Sequence, residues 1–122
     1  MSDGASGYDR DNVFARILRD EIPSDRVHED DEFVAFRDIN PAAPTHIVLI
    51  PRGEPPAGPA GLADGDAGWV GRMLVVASRI AAREGLAEGG YRLVVNNGPD
   101  AGQEVPHIHM HILGGSELGP IA

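Results

Sequence analysis

The sequence predicts a single α+β domain in which a five-stranded antiparallel sheet packs against two helices. The predicted elements follow the order helix, three strands, helix, two strands, and their short connections favour antiparallel neighbours. A chain of 122 residues, of which 42% are hydrophobic, is long enough for one core. We expect residues 1–10 to form a flexible N-terminus and residues 11–122 to form the domain.

Apolar spacing predicts the two helices. Asn12–Asp20 carries an apolar stripe at helical spacing, and Asp11 is placed to cap its first turn. Trp69–Glu84 carries a longer stripe, which predicts core packing, and Gly85 favours the end of this helix. Residues 53–68 are rich in glycine, proline and alanine, which predicts a surface loop or a poorly formed helix start.

Five short segments predict strands, because they are rich in apolar and β-branched residues and are bounded by turn residues. They are Arg26–Glu29, Glu32–Arg37, Thr45–Ile50, Tyr91–Asn96 and Val105–Leu113. The Asp30-Asp31 pair between the first two strands predicts a hairpin.

The last predicted strand carries the pattern that indicates function. His107, His109 and His111 alternate with large apolar residues. Successive side chains of a strand point to opposite faces, so the three imidazoles should share one face and the apolar residues the other. Folding alone does not require three groups that titrate near neutral pH in one row.

The chemistry of these residues leaves three interpretations open. The histidines can be ordinary polar residues on a solvated sheet face. They can be zinc ligands, since His-x-His is legitimate ligand spacing and His46 can add a further imidazole. They can also serve nucleophilic catalysis, in which a neutral imidazole attacks an electrophilic phosphorus and carries the group as a phospho-histidine.

Composition excludes several other classes of function. The chain has no cysteine, so it forms no disulfide, thiolate zinc site or cysteine nucleophile. All ten basic residues are arginine, which excludes Schiff-base lysine chemistry and a P-loop lysine. The net charge of −9 argues against nucleic acid as the partner. No stretch predicts a membrane span or a signal peptide, and we expect a cytoplasmic protein.

The run 107–113 resembles the His-φ-His-φ-His-φ-φ motif of the histidine triad (HIT) superfamily, where φ is apolar. Further segments resemble its Hint branch in the same order along the chain: 12–23, 35–41, 43–51, 94–98 and 102–115. The resemblance implies a HIT-like fold. It also implies a purine nucleoside phosphoramidase, which cleaves a P–N bond and releases AMP or GMP through a nucleotidyl-histidine intermediate.

The resemblance assigns a role to each histidine. His109 matches the nucleophile, and His111 matches the histidine that contacts the α-phosphate. His107 matches the first histidine of the triad, and His46 matches an upstream histidine that supports His107 in a relay. No cofactor and no metal are implied.

The resemblance also implies a nucleotide site. Asp38 and Ile39 match the ribose-binding pair, and the phosphate-side contacts match Asn96, Gly102, Gln103 and Glu104. The apolar base pocket matches Phe14, Ile17 and Phe36, together with Val13 and Ile22. Two positions depart from the family pattern. Glu104 stands where eukaryotic relatives often have serine, and Pro106 replaces a common aromatic residue.

Hint proteins form homodimers across the main helix and a strand edge, so the resemblance implies a homodimer with Trp69–Glu84 at the interface. Two alternatives remain open beside the phosphoramidase. One is a dinucleoside polyphosphate hydrolase or nucleotidyl transferase of the same superfamily. The other is a nucleotide-binding adaptor whose hydrolysis is vestigial. The sequence leaves the physiological amine unidentified.

Overall fold

The computed structural model describes residues 7–121 as one five-stranded antiparallel sheet with a helix on each face. The helices are α1 (Val13–Leu18) and α2 (Ala67–Arg83). The strands are β1 (Arg26–Glu29), β2 (Phe33–Arg37), β3 (Thr45–Pro51), β4 (Tyr91–Val94) and β5 (Met110–Gly114). They lie side by side in the order β1-β2-β3-β5-β4. The predicted α+β class and five-stranded antiparallel sheet are confirmed.

The two faces of the sheet carry two separate apolar clusters. On one face, α2 buries Met73, Ala77, Ile80 and Ala81 against the sheet, together with Met110 and Ile112 of β5. The other face packs α1 against the middle strands, through Phe14, Ile17, Val34, Phe36, Val48 and Ile50. The alternation of side chains along β3 and β5 therefore separates a core face from a face that adjoins the histidines.

Helix α1 is shorter than predicted, and its cap is a different residue. Asn12, rather than Asp11, is the N-cap, because its side-chain oxygen accepts the Ala15 N–H at 2.9 Å. The helix ends at Leu18, and Asp20 follows with a φ of 62°. Helix α2 matches its prediction to within two residues at each end, and Gly85, with a φ of 77°, follows its last turn.

Strand β5 begins five residues later than predicted. Pro106 has no N–H to donate, and the N–H groups of the next two residues bond outside the sheet. That of His107 reaches the Val105 carbonyl at 2.9 Å, and that of Ile108 reaches the Pro56 carbonyl at 3.0 Å. The first two histidines of the triad therefore precede the strand. They nevertheless lie on the same side as the third, since Phe14 contacts His107 and His109, and His109 contacts His111.

The predicted loop at residues 53–68 contains two short 3-10 helices, Pro59–Gly61 and Asp64–Asp66. It packs closely on the turn that precedes the histidines. The Ala60 N–H bonds to the side chain of Asn97 at 2.8 Å, and a Cβ on Gly58 would lie 2.6 Å from the Asn97 side-chain oxygen. This loop therefore supports the turn that precedes the histidines.

No helix in residues 7–121 is both long enough and apolar enough to cross a bilayer. The predicted flexible N-terminus stays a prediction, since residues 1–6 lie outside the described part of the chain. Tyr8 is described, and it contacts His107.

The cap assignment gives a stability test. We expect Asn12→Ala to lower the free energy of unfolding by about 1 kcal/mol, because the change removes the acceptor of the Ala15 N–H in the first turn of α1. Asp11→Ala is the matched control, since Asp11 is exposed and caps nothing. Urea denaturation of both variants measures the difference. A larger loss in Asp11→Ala would contradict the assignment.

Candidate active site

A cavity of about 330 Å³ opens on the histidine face, between α1, the ends of β2 and β4, and the turn before the triad. This volume is within the range of small-molecule sites. The predicted nucleotide-binding residues all line it: Phe14, Ile17, Phe36, Asp38, Ile39, Asn96, Gly102, Gln103 and Glu104, with Val13 and Ile22. Of the four predicted catalytic histidines, His109 and His111 line the cavity, and His107 and His46 lie behind it.

His109 presents a nitrogen lone pair. Its Nδ1 lies 2.7 Å from the His107 carbonyl oxygen. Since a carbonyl can only accept, Nδ1 carries the proton and donates it. In the neutral ring the other nitrogen, Nε2, is then unprotonated. This is the form of imidazole that can attack an electrophile.

His111 presents the opposite form, an N–H donor. The Ala42 N–H donates to Nδ1 of His46 at 3.0 Å, so the proton of a neutral His46 is on Nε2. That Nε2 lies 2.9 Å from Nδ1 of His111 and donates to it. The proton of His111 is therefore on Nε2. The structure thus corrects the predicted relay, because His46 supports His111 and not His107.

His107 is fully buried, and both of its ring nitrogens have partners. Nε2 donates to the Pro51 carbonyl at 2.8 Å, at the end of β3. Nδ1 lies 2.6 Å from the Tyr8 hydroxyl. The ring is therefore bonded at both nitrogens, and the backbone carbonyl of the same residue is the acceptor for His109.

Burial lowers the pKa of each of these four histidines and so favours the neutral ring. Burial lowers the pKa of His107 to about 4, with a smaller contribution from His109 and an opposing one from the Pro51 carbonyl. Burial, with the neighbouring His109 and His46, lowers the pKa of His111 to about 4. Burial also lowers the pKa values of His109 and His46 below their ordinary value. The proton positions above are therefore those of neutral rings.

Asp38 and Ile39 lie together at one end of the cavity. The Asp38 carboxylate accepts the Asn40 N–H at 2.8 Å and lies 3.5 Å from Nε2 of His46. Ile39 lines the cavity with a side chain that is 90% exposed. The apolar end of the cavity is formed by Phe14, whose ring meets those of Phe36 and His109 edge to face. These three rings give that end of the cavity an aromatic, largely apolar wall.

The turn before the triad provides fewer backbone donors than its glycines suggest. The Gly102 N–H bonds to the Pro99 carbonyl at 3.0 Å, and the Gln103 N–H bonds to the Gly98 carbonyl at 3.1 Å. The Gln103 side chain is also bonded within the loops, to Gly98, Ala57 and Val105. Within residues 7–121, only the Glu104 N–H of this predicted trio has no acceptor. Glu104 is therefore the backbone donor available to a bound anion.

Asp38, His46 and His111 are the described residues whose ligand atoms could hold a metal ion, since these atoms lie within 4.8 Å of one another. The set contains the nitrogen and oxygen ligands that zinc accepts. His46 Nε2 and His111 Nδ1 already share a proton, so an ion would have to displace it.

Three residues at or beside the site were not predicted to lie there: Tyr8, Val48 and Val105. Val48 lies two residues after His46 on the same strand face, and it lines the cavity, so the period of the strand could have identified it. Val105 lines the cavity beside Glu104. Tyr8 contacts His107 across 99 residues of sequence, and no local pattern signals such a contact.

The HIT domain family matches residues 19–118. The chain is 51% identical to the purine nucleoside phosphoramidase of Escherichia coli (strain K12) over 111 residues, which cover 91% of this chain and 92% of the relative. It is 44% identical to adenylylsulfatase HINT1 of Arabidopsis thaliana over 117 residues, covering 93% and 78%. The crystal structure of a HIT family hydrolase from Legionella pneumophila Philadelphia 1 superposes with a TM-score of 0.86 at 43% identity, covering 89% of this chain and 96% of that one. The predicted membership of the Hint branch is confirmed: this chain belongs to the HIT-domain family.

Proposed function

We propose that this protein is a purine nucleoside phosphoramidate hydrolase, which cleaves a P–N bond and releases AMP or GMP. One observation carries the proposal: the paired hydrogen bonds that leave a lone pair on His109 Nε2 and a proton on His111 Nε2 at one cavity wall. A nucleophile and an anion-binding donor side by side suit attack on phosphorus. The names and the identities of the E. coli and Arabidopsis relatives support nucleotide chemistry.

The reaction is a double displacement. His109 Nε2 forms a bond to the α-phosphorus while the P–N bond breaks, and the leaving nitrogen keeps the bonding pair and takes up a proton from solvent. The nucleotidyl-imidazolium carries a positive charge, which the Nδ1–H bond to the His107 carbonyl stabilises. Water then attacks phosphorus, loses a proton to solvent, and returns His109 to its neutral form. His111 Nε2–H and the Glu104 N–H donate to the phosphoryl oxygens.

The nucleoside occupies the rest of the cavity in this proposal. The Asp38 carboxylate accepts from ribose hydroxyls. The base lies in the apolar end, between Phe14 and the exposed side chain of Ile39. A carboxylate with free oxygen lone pairs and an apolar slot are the complement of a ribose and a purine.

Charge at the cavity favours a phosphoramidate over a polyphosphate. Among the described residues that line the cavity, the only cation is Arg37, and its guanidinium is bound to Glu84 at 3.0 Å. Asp38 and Glu104 add carboxylates. A chain of further phosphates would meet no cation to offset its charge, whereas an amine leaving group would not be repelled.

Two other functions are tested against this proposal. The second candidate is a dinucleoside polyphosphate hydrolase or nucleotidyl transferase of the same superfamily. The third is an adaptor that binds nucleotide and whose hydrolysis is vestigial. We expect turnover of adenosine phosphoramidates to exceed that of diadenosine tetraphosphate. The reverse order would favour the second candidate. Tight AMP binding with no turnover of any phosphoramidate would favour the third.

The nucleophile has a direct test. We expect His109→Ala to lower kcat for an adenosine phosphoramidate by at least about a thousandfold, because no other group can form the covalent intermediate. Rapid acid quench followed by mass spectrometry should find an AMP adduct on wild-type His109 and none on the variant.

His28→Ala is the matched control for that experiment, because His28 bonds to Asp30 and Arg83 outside the cavity. This control should retain wild-type turnover and adduct. Undiminished activity in His109→Ala, or an adduct at another residue, would overturn the assignment of the nucleophile.

The depressed histidine pKa values give a prediction for pH. His109 must be neutral to attack, and burial holds its pKa below its ordinary value of about 6.5. We therefore expect kcat/KM to be flat through neutral pH and to fall only on the acid side of that value, as His109 takes up a proton. The substrate should be one that does not titrate over this range. An acid limb centred at neutral pH or above would contradict a buried, neutral nucleophile.

We also propose that the protein forms a homodimer through α2 and the edge strand β4. Leu74 and Val75 on α2 are 52% and 47% exposed, and Tyr91 and Val95 are half-exposed at the sheet edge. An edge strand beside apolar side chains is a surface suited to a second copy. Sedimentation equilibrium should give twice the chain mass of 12.9 kDa at micromolar concentration, and Leu74→Asp should shift the protein toward monomer. A wild-type monomer would contradict the proposal. The expected cytoplasmic location stays a prediction.

A further inference from the structure

The Tyr8 hydroxyl lies 2.6 Å from Nδ1 of His107, although the two residues are 99 positions apart. Their rings also meet edge to face, with centroids 5.7 Å apart. Tyr8 does not line the nucleotide cavity. The contact is therefore made on the side of His107 that faces away from this cavity.

The direction of this hydrogen bond follows from its surroundings. Nε2 of His107 donates to the Pro51 carbonyl, so Nδ1 of the neutral ring can only accept. The Tyr8 hydroxyl is therefore the donor of this bond. Burial raises the pKa of Tyr8, so its hydroxyl keeps the proton that it donates to His107.

The chain that follows Tyr8 is fastened by three contacts. Arg10 forms an ion pair with Glu54 at 2.7 Å, and the Arg10 carbonyl accepts from Arg19 at 2.8 Å. The Asn12 amide donates to the Asp9 carbonyl at 2.7 Å. Tyr8 is thus held against His107 by the segment that carries it and by the cap of α1.

We propose that Tyr8 is a positioning residue for the reaction, which holds the His107 ring so that its backbone carbonyl accepts the Nδ1 proton of the nucleophile His109. The ring of His107 is clamped between two parts of the chain, with Pro51 at one nitrogen and Tyr8 at the other. A ring clamped at both nitrogens has a fixed orientation, and the carbonyl of the same residue lies 2.7 Å from His109 Nδ1. This inference rests on the proposed function, in which His109 must present Nε2 without a proton.

Tyr8→Phe removes the hydroxyl and keeps the ring that packs on His107. We expect kcat for an adenosine phosphoramidate to fall about tenfold, since one neutral hydrogen bond is worth about 1.4 kcal/mol at the upper part of its range. KM should stay within about twofold, because Tyr8 does not line the cavity. Tyr91→Phe is the matched control, since it removes the same hydroxyl from the half-exposed edge strand β4, and Tyr91 does not line the cavity.

A second measurement needs no substrate. In ¹⁵N-histidine NMR spectra, Nδ1 of His107 should show the signal of a hydrogen-bonded acceptor in the wild type and of a free acceptor in Tyr8→Phe. The His109 signals should show a larger share of the Nε2–H form in Tyr8→Phe and not in Tyr91→Phe. Thermal unfolding of each variant separates this effect from loss of the fold.

A lower kcat in Tyr8→Phe, with unchanged KM and altered proton positions on His109, supports the role of Tyr8. Wild-type kcat in Tyr8→Phe, or equal losses in both variants, overturns it and leaves the proposed function standing. A wild-type protein that hydrolyses no phosphoramidate overturns the proposed function. In that case unchanged histidine spectra in Tyr8→Phe would overturn the positioning role as well.

Discussion

The hydrogen bond from His109 Nδ1 to the His107 carbonyl is the interaction on which the proposed chemistry depends. It is 2.7 Å long. Its acceptor is a carbonyl oxygen, which has no proton to donate, so Nδ1 must be the donor. Because the proton is held on Nδ1, the lone pair of His109 is on the nitrogen that can reach a ligand. The second chain of hydrogen bonds, from Ala42 through His46 to His111, fixes the opposite proton position on the neighbouring ring. In the proposed mechanism His109 attacks and His111 binds the anion. These two identical side chains differ in role because their hydrogen-bond partners differ.

The scaffold holds the His107 carbonyl through several irregular segments rather than through a strand. Pro106 removes a donor, and the backbone that follows it bonds to the loop at Pro56. The Gln103 side chain joins the same loop to the turn before the triad. A segment that resembles an ordinary surface loop in sequence therefore supports the nucleophile. The rings of His107 and His109 are themselves buried, which favours their neutral form.

Much of the fold could be predicted because its signals are local. The apolar stripe of α2 and the alternation along β3 are periodic patterns, and both elements appear within two residues of their predicted ends. The residues that line the cavity were predicted from the family resemblance, because that resemblance extends over whole segments and not over one motif. The true cap of α1 was missed because Asp11 and Asn12 are both good N-cap residues, and only packing decides between them.

The parts that could not be predicted depend on contacts distant in sequence. The partner of His46 is His111, because β3 and β5 are neighbours in the sheet and His46 pairs with Leu113 in the register. The backbone N–H groups of Gly102 and Gln103 are not available to a ligand, because they donate to carbonyl groups within their own turn. Tyr8 lies in a polar segment with no periodicity, so its contact with His107 follows from the fold alone.

The position of the proton on His109 is the central claim, and long-range ¹H–¹⁵N NMR of the histidine side chains measures it directly at neutral pH. The account predicts that a neutral His109 carries its proton on Nδ1 and that a neutral His111 carries its proton on Nε2. A protonated Nε2 on His109, or a doubly protonated ring, would contradict it.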